Sequence, residues 1–189
     1  MTKSILLVGV GGQGAILVSK ILTEGLVRAG FDVKMSEVHG MAQRGGSVST
    51  QVRYGDKVYS PIIGEGAADI LVAFERMEAV RYASYLKPDG IALISDKEIM
   101  PMSVASGSAE YPAGCLEAMQ EKFSTVVVEA DRISREIGNS RCQNIVLFGT
   151  LTRVLKLDQI DWELVMKEVL PIKILEVNLE AFKRGREAV

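Results

Sequence analysis

Apolar positions recur along the chain in two spacings, one of continuous short runs and one of every third or fourth residue. Ser4–Val10 is an unbroken apolar run closed by glycines, and it predicts a buried parallel strand. Gln13–Ala29 places Ile16, Leu17, Ile21, Leu22, Leu26 and Val27 at helical spacing, and Gly30 stands where a helix stop is expected. Asp32–Glu37 reads as a second strand. The first 37 residues therefore read as a βαβ unit with a glycine-rich first turn. Val38–Gly46 holds three glycines and reads as a loop. Ser47–Tyr54 alternates apolar and polar side chains, the mark of a half-buried strand. Gly55-Asp56 then turns the chain into Lys57–Ser60, giving an expected hairpin of 47–54 with 57–60.

Regular alternation follows. Strands are expected at Asp69–Phe74, Ile91–Ser95 and Thr125–Glu129, with helices at Glu75–Leu86, Leu116–Lys122 and Asp131–Ile137. Pro88-Asp89-Gly90 reads as a turn, and Lys97–Pro112 as a loop-rich stretch. Asn144–Leu155, Trp162–Val169 and Ile174–Arg186 read as three closing helices, with Asn144 as an N-cap or hydrogen-bond anchor. No repeat or linker divides the chain, so residues 1–189 are expected to form one domain. The predicted class is three-layer α/β: a mostly parallel, Rossmann-like sheet with an antiparallel hairpin insertion and helices on both faces.

Composition narrows the function. With 48% apolar residues, a sizeable core is expected. The net charge of −2 gives no electrostatic case for nucleic acid or an anionic membrane surface. The Lys183-Arg184-Gly185-Arg186 cluster reads as a solvated helix end. Cys115 and Cys142 form no CxxC pair; an iron–sulfur centre takes about four thiolates, so this chain does not supply one alone. Two isolated cysteines also fit a reducing compartment. The N-terminal apolar run is too short for a signal sequence, and no segment approaches the roughly 20 apolar residues of a membrane span. A cytoplasmic location is expected.

Two segments carry candidate chemistry. Gly9-Val10-Gly11-Gly12-Gln13-Gly14 contains GxGxxG between a strand and a helix, where glycines permit a tight turn and the helix N-terminus offers donors to a phosphate. Glu37 ends the second predicted strand, where a dinucleotide fold places its ribose-binding acid. One reading is therefore a free-standing NAD(P)-binding oxidoreductase; the other takes the glycines as close-packing residues with or without a ligand. The second segment, His39–Ser47, would share the same rim. Arg44 beside Gly45-Gly46 can cradle an anion, or can pair with a local acid or a partner subunit. His39 is the only histidine, which argues against a metal site and leaves a general-base role without support.

GVGGQG at 9–14, SEVHGMAQRGGSVSTQVRYG at 36–55, GEGAADILVAFE at 64–75 and NIVLFGTL at 144–151 together resemble the gamma-domain family of 2-oxoacid:ferredoxin oxidoreductases, over essentially the whole chain. The form EVHGMAQRGGSV resembles the indolepyruvate-acting members. The resemblance implies a small, non-redox subunit, with no catalytic residue of its own. It would support oxidative decarboxylation of aryl pyruvates to aryl-acetyl-CoA with ferredoxin reduction. It also implies a large partner carrying thiamine diphosphate and iron–sulfur clusters, in a heterodimer or α2β2 heterotetramer that meets ferredoxin as a complex. This chain shows no GDG followed by an NN-type metal motif, in keeping with that division. Gly11, Gly12, Gln13, Gly14, Arg44, Gly45, Gly46 and Ser47, by their shared rim position and clustered donors, are expected to line a groove facing the large subunit that holds coenzyme A phosphates or pantetheine, or shapes the entry to the thiamine site. A subunit acting on pyruvate or 2-oxoglutarate, a purely structural subunit, and a homodimer of the isolated chain are the other expectations.

Overall fold

The computed structural model describes residues 2–39 and 45–189. Six strands form one sheet: β1 (Lys3–Val10), β2 (Asp32–His39), β3 (Ser47–Gly55), β4 (Ala68–Ala73), β5 (Leu86–Ser95) and β6 (Ser124–Val128). Their spatial order is β2-β3-β1-β4-β5-β6. Strands β1, β4, β5 and β6 run parallel, while β3 is antiparallel to both of its neighbours. The helices are α1 (Ala15–Arg28), α2 (Arg76–Arg81), α3 (Met102–Ala105), α4 (Cys115–Lys122), α5 (Ala130–Glu136), α6 (Gln143–Val154), α7 (Trp162–Val169) and α8 (Ile172–Glu187).

The continuous apolar run of β1 is explained by cover on both faces. Ile5 and Leu7 join a core with α1 and with α5 to α8, which also takes Val72 of β4 and Leu93 of β5. Leu6 and Val8 point the other way, into a second core with Leu71, Ala73, Ala92, Ile94, Ala79 of α2 and Met119 of α4. Each of the larger side chains among them, the valines, leucines, isoleucines and Met119, contributes about 1.5–3 kcal/mol when buried completely.

Several local expectations are corrected. β2 is not the neighbour of β1: β3 lies between them, pairing Val10 with Ser47 on one side and His39 with Val48 on the other. The antiparallel hairpin is therefore β2–β3, not 47–54 with 57–60. Residues 57–60 form no strand. Their segment folds over the sheet instead: Val58 N–H donates to Asp32 (2.9 Å) and Ile63 N–H to Gln51 Oε1 (2.6 Å). Gln51 is bound by that segment and buried, and Ser49 is buried as well, so β3 is enclosed on both faces although its alternation suggested one solvated face.

The helix expected over Glu75–Leu86 stops at Arg81; a short 3-10 turn at Ala83–Tyr85 then leads directly into β5. Pro88-Asp89-Gly90 is an irregularity within β5, where Ala68 faces Leu86 but Ile70 faces Ile91. α3 interrupts the 97–112 stretch. Asn144 lies inside α6 and does not cap it; Asn139 caps the preceding turn, accepting from Arg141 N–H at 3.0 Å.

α6 and α8 cross at a distance that only glycine permits. A Cβ on Gly185 would sit 2.0 Å from Val146 O, and Thr150 Oγ1 donates to Gly185 O at 2.7 Å. Gly185→Ala is expected to cost roughly 3 kcal/mol by overpacking, a fall in Tm on the order of 10 °C for a chain of this size. Gly64→Ala, where a Cβ meets nothing within 4 Å, serves as control and leaves Tm unchanged by calorimetry. Equal Tm values for the two variants would refute the close crossing.

Candidate functional site at the carboxyl edge of the sheet

After β1 the chain crosses to α1 on one face; after β4 it crosses to α2 on the other. The helices diverge at the β1/β4 boundary, the place where open α/β sheets leave a ligand crevice beyond the strand ends. The glycine-rich turn stands at that boundary.

Gln13 holds the turn shut. Its Oε1 accepts from Val10 N–H at 2.7 Å, and its Nε2 donates to Phe74 O at 2.7 Å, tying the ends of β1 and β4 together. Gly9 admits this approach, since a Cβ there would lie 2.9 Å from Gln13 Oε1. Gly14, at φ 82°, starts α1 and abuts Asn144, whose Nδ2 would lie 2.4 Å from an added Cβ. The Asn144 amide reaches back to Gly14 O at 3.4 Å. α1 has no side-chain cap and no acidic residue in its first turn, and of the first N–H groups that of Leu17 turns back to Gly14 O at 3.1 Å.

The β1–β3 ladder runs one step past the strand ends. Gly11 N–H donates to Gly46 O (2.8 Å), and Gly45 N–H donates to Gly11 O (3.2 Å). The structure thus brings the glycine-rich turn and the Gly45-Gly46 segment together. It also uses their donors internally: Gly11, Gly45 and the main chain of Gln13 are all engaged. Ser47 donates its hydroxyl to Glu78, a carboxylate only 2% exposed, and lies 3.4 Å from the Tyr82 hydroxyl. Gly12 is exposed at the crest, at φ 103°. Arg44 and the side chain of His39 lie outside the described residues.

Glu37 lies on β2, where it pairs with Thr50 of β3, one whole strand away from β1. In a dinucleotide fold the second strand stands next to the first; the inserted β3 removes Glu37 from a ribose-binding position beside the glycine turn.

A cleft of about 390 Å³ opens on one side of Gly12 and Gln13, bounded also by Ser95, Lys97 and Arg141. An apolar trough of about 270 Å³ lies on the other side, between Val10, Ile16 and Val48. Sequence reasoning missed Ser95, Lys97 and Arg141. Ser95 ends β5 and Lys97 follows it, at the carboxyl end of a strand that faces the crevice, and that rule alone would have singled them out. Arg141 sits in a short 3-10 turn that no pattern marks. Lys97 is held by Asp131 (2.8 Å), which also accepts from Gln143 Nε2 (2.6 Å) and pairs with Arg135. The Lys97 ammonium, above all, holds the Asp131 carboxyl below the usual carboxylate range. Burial pushes Asp96 up.

The thiols are both raised by burial and lie on opposite faces of the sheet. Cys115 belongs to α4 beside α2, and Cys142 to the core of α1 and α6. They cannot share one metal cluster. Among the described residues no group of three His, Cys, Asp or Glu side chains is placed to hold a metal ion. Glu75, fully buried, accepts from Glu78 N–H (2.9 Å), Ile99 N–H (3.3 Å) and the Tyr111 hydroxyl, anchoring the 97–112 segment to α2.

Fold and rim define an α/β subunit with a ligand-sized crevice at its switch point and no cluster-binding thiol set. The chain belongs to the pyruvate ferredoxin/flavodoxin oxidoreductase family, whose model matches residues 4–188. It is 38% identical to indolepyruvate oxidoreductase subunit IorB of Archaeoglobus fulgidus, over 98% of this chain and 94% of that protein. The solved keto/oxoacid ferredoxin oxidoreductase gamma subunit of Geobacter sulfurreducens superposes with a TM-score of 0.70 at 23% identity, covering 98% of this chain and 97% of that one. The 2-oxoglutarate:ferredoxin oxidoreductase of Magnetococcus marinus, solved with 2-oxoglutarate, coenzyme A and succinyl-CoA, matches at TM-score 0.74 and 20% identity, over 99% of this chain and 31% of that one.

The depressed Asp131 carboxyl makes a pH prediction. A group lowered in the folded state adds stability above its unfolded value, near 4, and loses it as pH falls through the folded value. Asp131→Asn is therefore expected to lower Tm at neutral pH, with the gap to wild type narrowing below about pH 4. A gap that stays constant down to the acid end would contradict the Lys97–Asp131 pairing.

Proposed function

We propose that this chain is the small, non-redox subunit of an indolepyruvate ferredoxin oxidoreductase. The near full-length likeness to the Archaeoglobus IorB subunit carries the reading. The crevice at the β1/β4 boundary supplies its chemistry. In the assembled enzyme a large partner subunit bears thiamine diphosphate, which supplies the decarboxylation chemistry, and iron–sulfur clusters, which pass electrons to ferredoxin. The complex is a heterodimer or α2β2 heterotetramer in the cytoplasm. No described helix is long and apolar enough to cross a membrane.

The contribution of this chain is binding and positioning. Its rim, with Gly11, Gly12, Gln13, Gly14, Gly45, Gly46 and Ser47, faces the partner and borders the path of coenzyme A; Arg44, outside the described residues, is assigned the same role from the sequence alone. Gln13 and the Gly11–Gly46 hydrogen bond fix the rim's shape before any ligand arrives. The α1 N-terminus favours negative charge nearby. The Magnetococcus enzyme, solved with coenzyme A, supports that ligand class for the rim. A rigid rim that holds the thiol carrier and excludes water raises the effective concentration of thiol at the partner's acyl intermediate.

Reconstitution tests the reading. The chain combined with its large partner under anaerobic conditions is expected to catalyse coenzyme A-dependent ferredoxin reduction with indolepyruvate, at a kcat/KM at least about tenfold above that for pyruvate or 2-oxoglutarate, roughly 1.4 kcal/mol of discrimination. The large subunit alone should be inactive. A preference for 2-oxoglutarate would replace the substrate while leaving the family assignment in place.

A further inference from the structure

The opposite, amino edge of the sheet carries a pocket of its own, of about 290 Å³, a volume at the lower limit of small-ligand sites. β1, β4 and β5 begin there and β3 ends there, so Lys3, Asp69, Lys87 and Tyr54 meet across four adjacent strands. Gly90, in the irregular part of β5, also lines it; such interruptions recur beside binding sites. Two lining residues have polar groups with no use inside the protein. Tyr54 is 6% exposed, and its hydroxyl has no hydrogen-bond partner among the described residues. Its ring is fixed by an edge contact with Phe31. Burial first, and then the Asp69 charge, push the phenol up, so the hydroxyl stays protonated and offers a donor. Lys156 is exposed and makes no ion pair among the described residues. It is also the one described non-glycine residue at positive φ, 55°. It follows the end of α6, where glycine is the usual residue and a lysine is strained.

We propose that this pocket is a ligand site separate from the rim, for a small monocarboxylate with an apolar body. The carboxylate accepts from the Tyr54 hydroxyl and the Lys156 ammonium, the second a charge-assisted bond. The apolar body lies on the wall of Ile5, Ile70, Ile91 and Val154. Asp69 borders the same space but is already engaged, by Ser4 N–H (2.7 Å), Lys87 (2.7 Å) and Lys3 (3.8 Å). Asp89 is exposed on the Lys87 side. Three lysines against two aspartates leave the lining with a single net positive charge, which suits a monoanion. A phosphate dianion fits less well, since it meets both aspartates and gains nothing from the apolar wall. The site does not depend on the oxidoreductase reading, because none of these residues belongs to the rim.

The test is an amide-shift NMR titration of the full chain with three probes: indole-3-acetate, indole-3-acetamide, which keeps the apolar body without the charge, and inorganic phosphate. Indole-3-acetate is expected to bind with a Kd on the order of 1 mM, moving the amides of Tyr54, Gly90, Ile91 and Lys156 and leaving that of Gly12 in place. The acetamide and phosphate should each bind at least about fivefold more weakly. Tyr54→Phe is expected to weaken indole-3-acetate about threefold, and Lys156→Gly about fivefold. Both variants keep the fold, since Phe preserves the ring contact with Phe31 and glycine is the residue that best tolerates φ 55°. Equal affinity for the acetate and the acetamide, shifts centred on Gly12, or binding unchanged in both variants would overturn the site.

Discussion

The insertion of β3 between β1 and β2 is the constraint from which the rest of the molecule follows. A central strand must satisfy two rows of backbone donors and acceptors, and β3 does so by running antiparallel to both neighbours over nearly its full length. That arrangement moves the first crossover helix, α1, across three strands, where it contacts β1, β2 and β3. It also extends the ladder beyond the strand ends, so that Gly11 and Gly46 meet. Glycine at these positions serves backbone-to-backbone closure. The GxGxxG pattern here is therefore a packing device first: Gly9 admits Gln13 and Phe74, and Gly14 admits Asn144.

The polar groups around the rim are accounted for in a graded way. Glu75 and Glu78, both buried, are fully engaged, the first with two backbone N–H groups and Tyr111, the second with Ser47 and Arg81. Asp131 is surrounded by cations and an amide. Against this background the open valences of Ser95 and Arg141 stand out, because both border the same cleft.

Much of this was legible from the sequence. Ile5 to Val8 and Ile91 to Ile94 announced buried parallel strands because both of their faces are covered, and the closing helices followed from apolar spacing. The class of fold and the rim position of the two glycine segments followed as well. Strand adjacency was not legible, since local pattern says that Asp32–Glu37 is extended but not which strand it bonds. Nor was the burial of Gln51, which depends on an irregular segment folding back to offer Ile63 N–H. Among the candidate site residues, the pattern located Gly11 to Gly14 and Gly45 to Ser47 correctly at one edge. It could not show that most of their hydrogen-bonding capacity is consumed there. Lys97 and Arg141 become neighbours only through tertiary structure, when β5 and the turn before α6 converge.

The central claim is that the rim is built by the protein itself and does not wait for a ligand. Amide hydrogen exchange on the chain, read residue by residue by NMR, tests it most directly. Gly11 and Gly45 are expected to be protected without any ligand, in contrast to Gly12, whose amide has no partner among the described residues. Exchange of Gly11 and Gly45 as fast as that of Gly12, with protection appearing only when coenzyme A and the partner are added, would contradict the account.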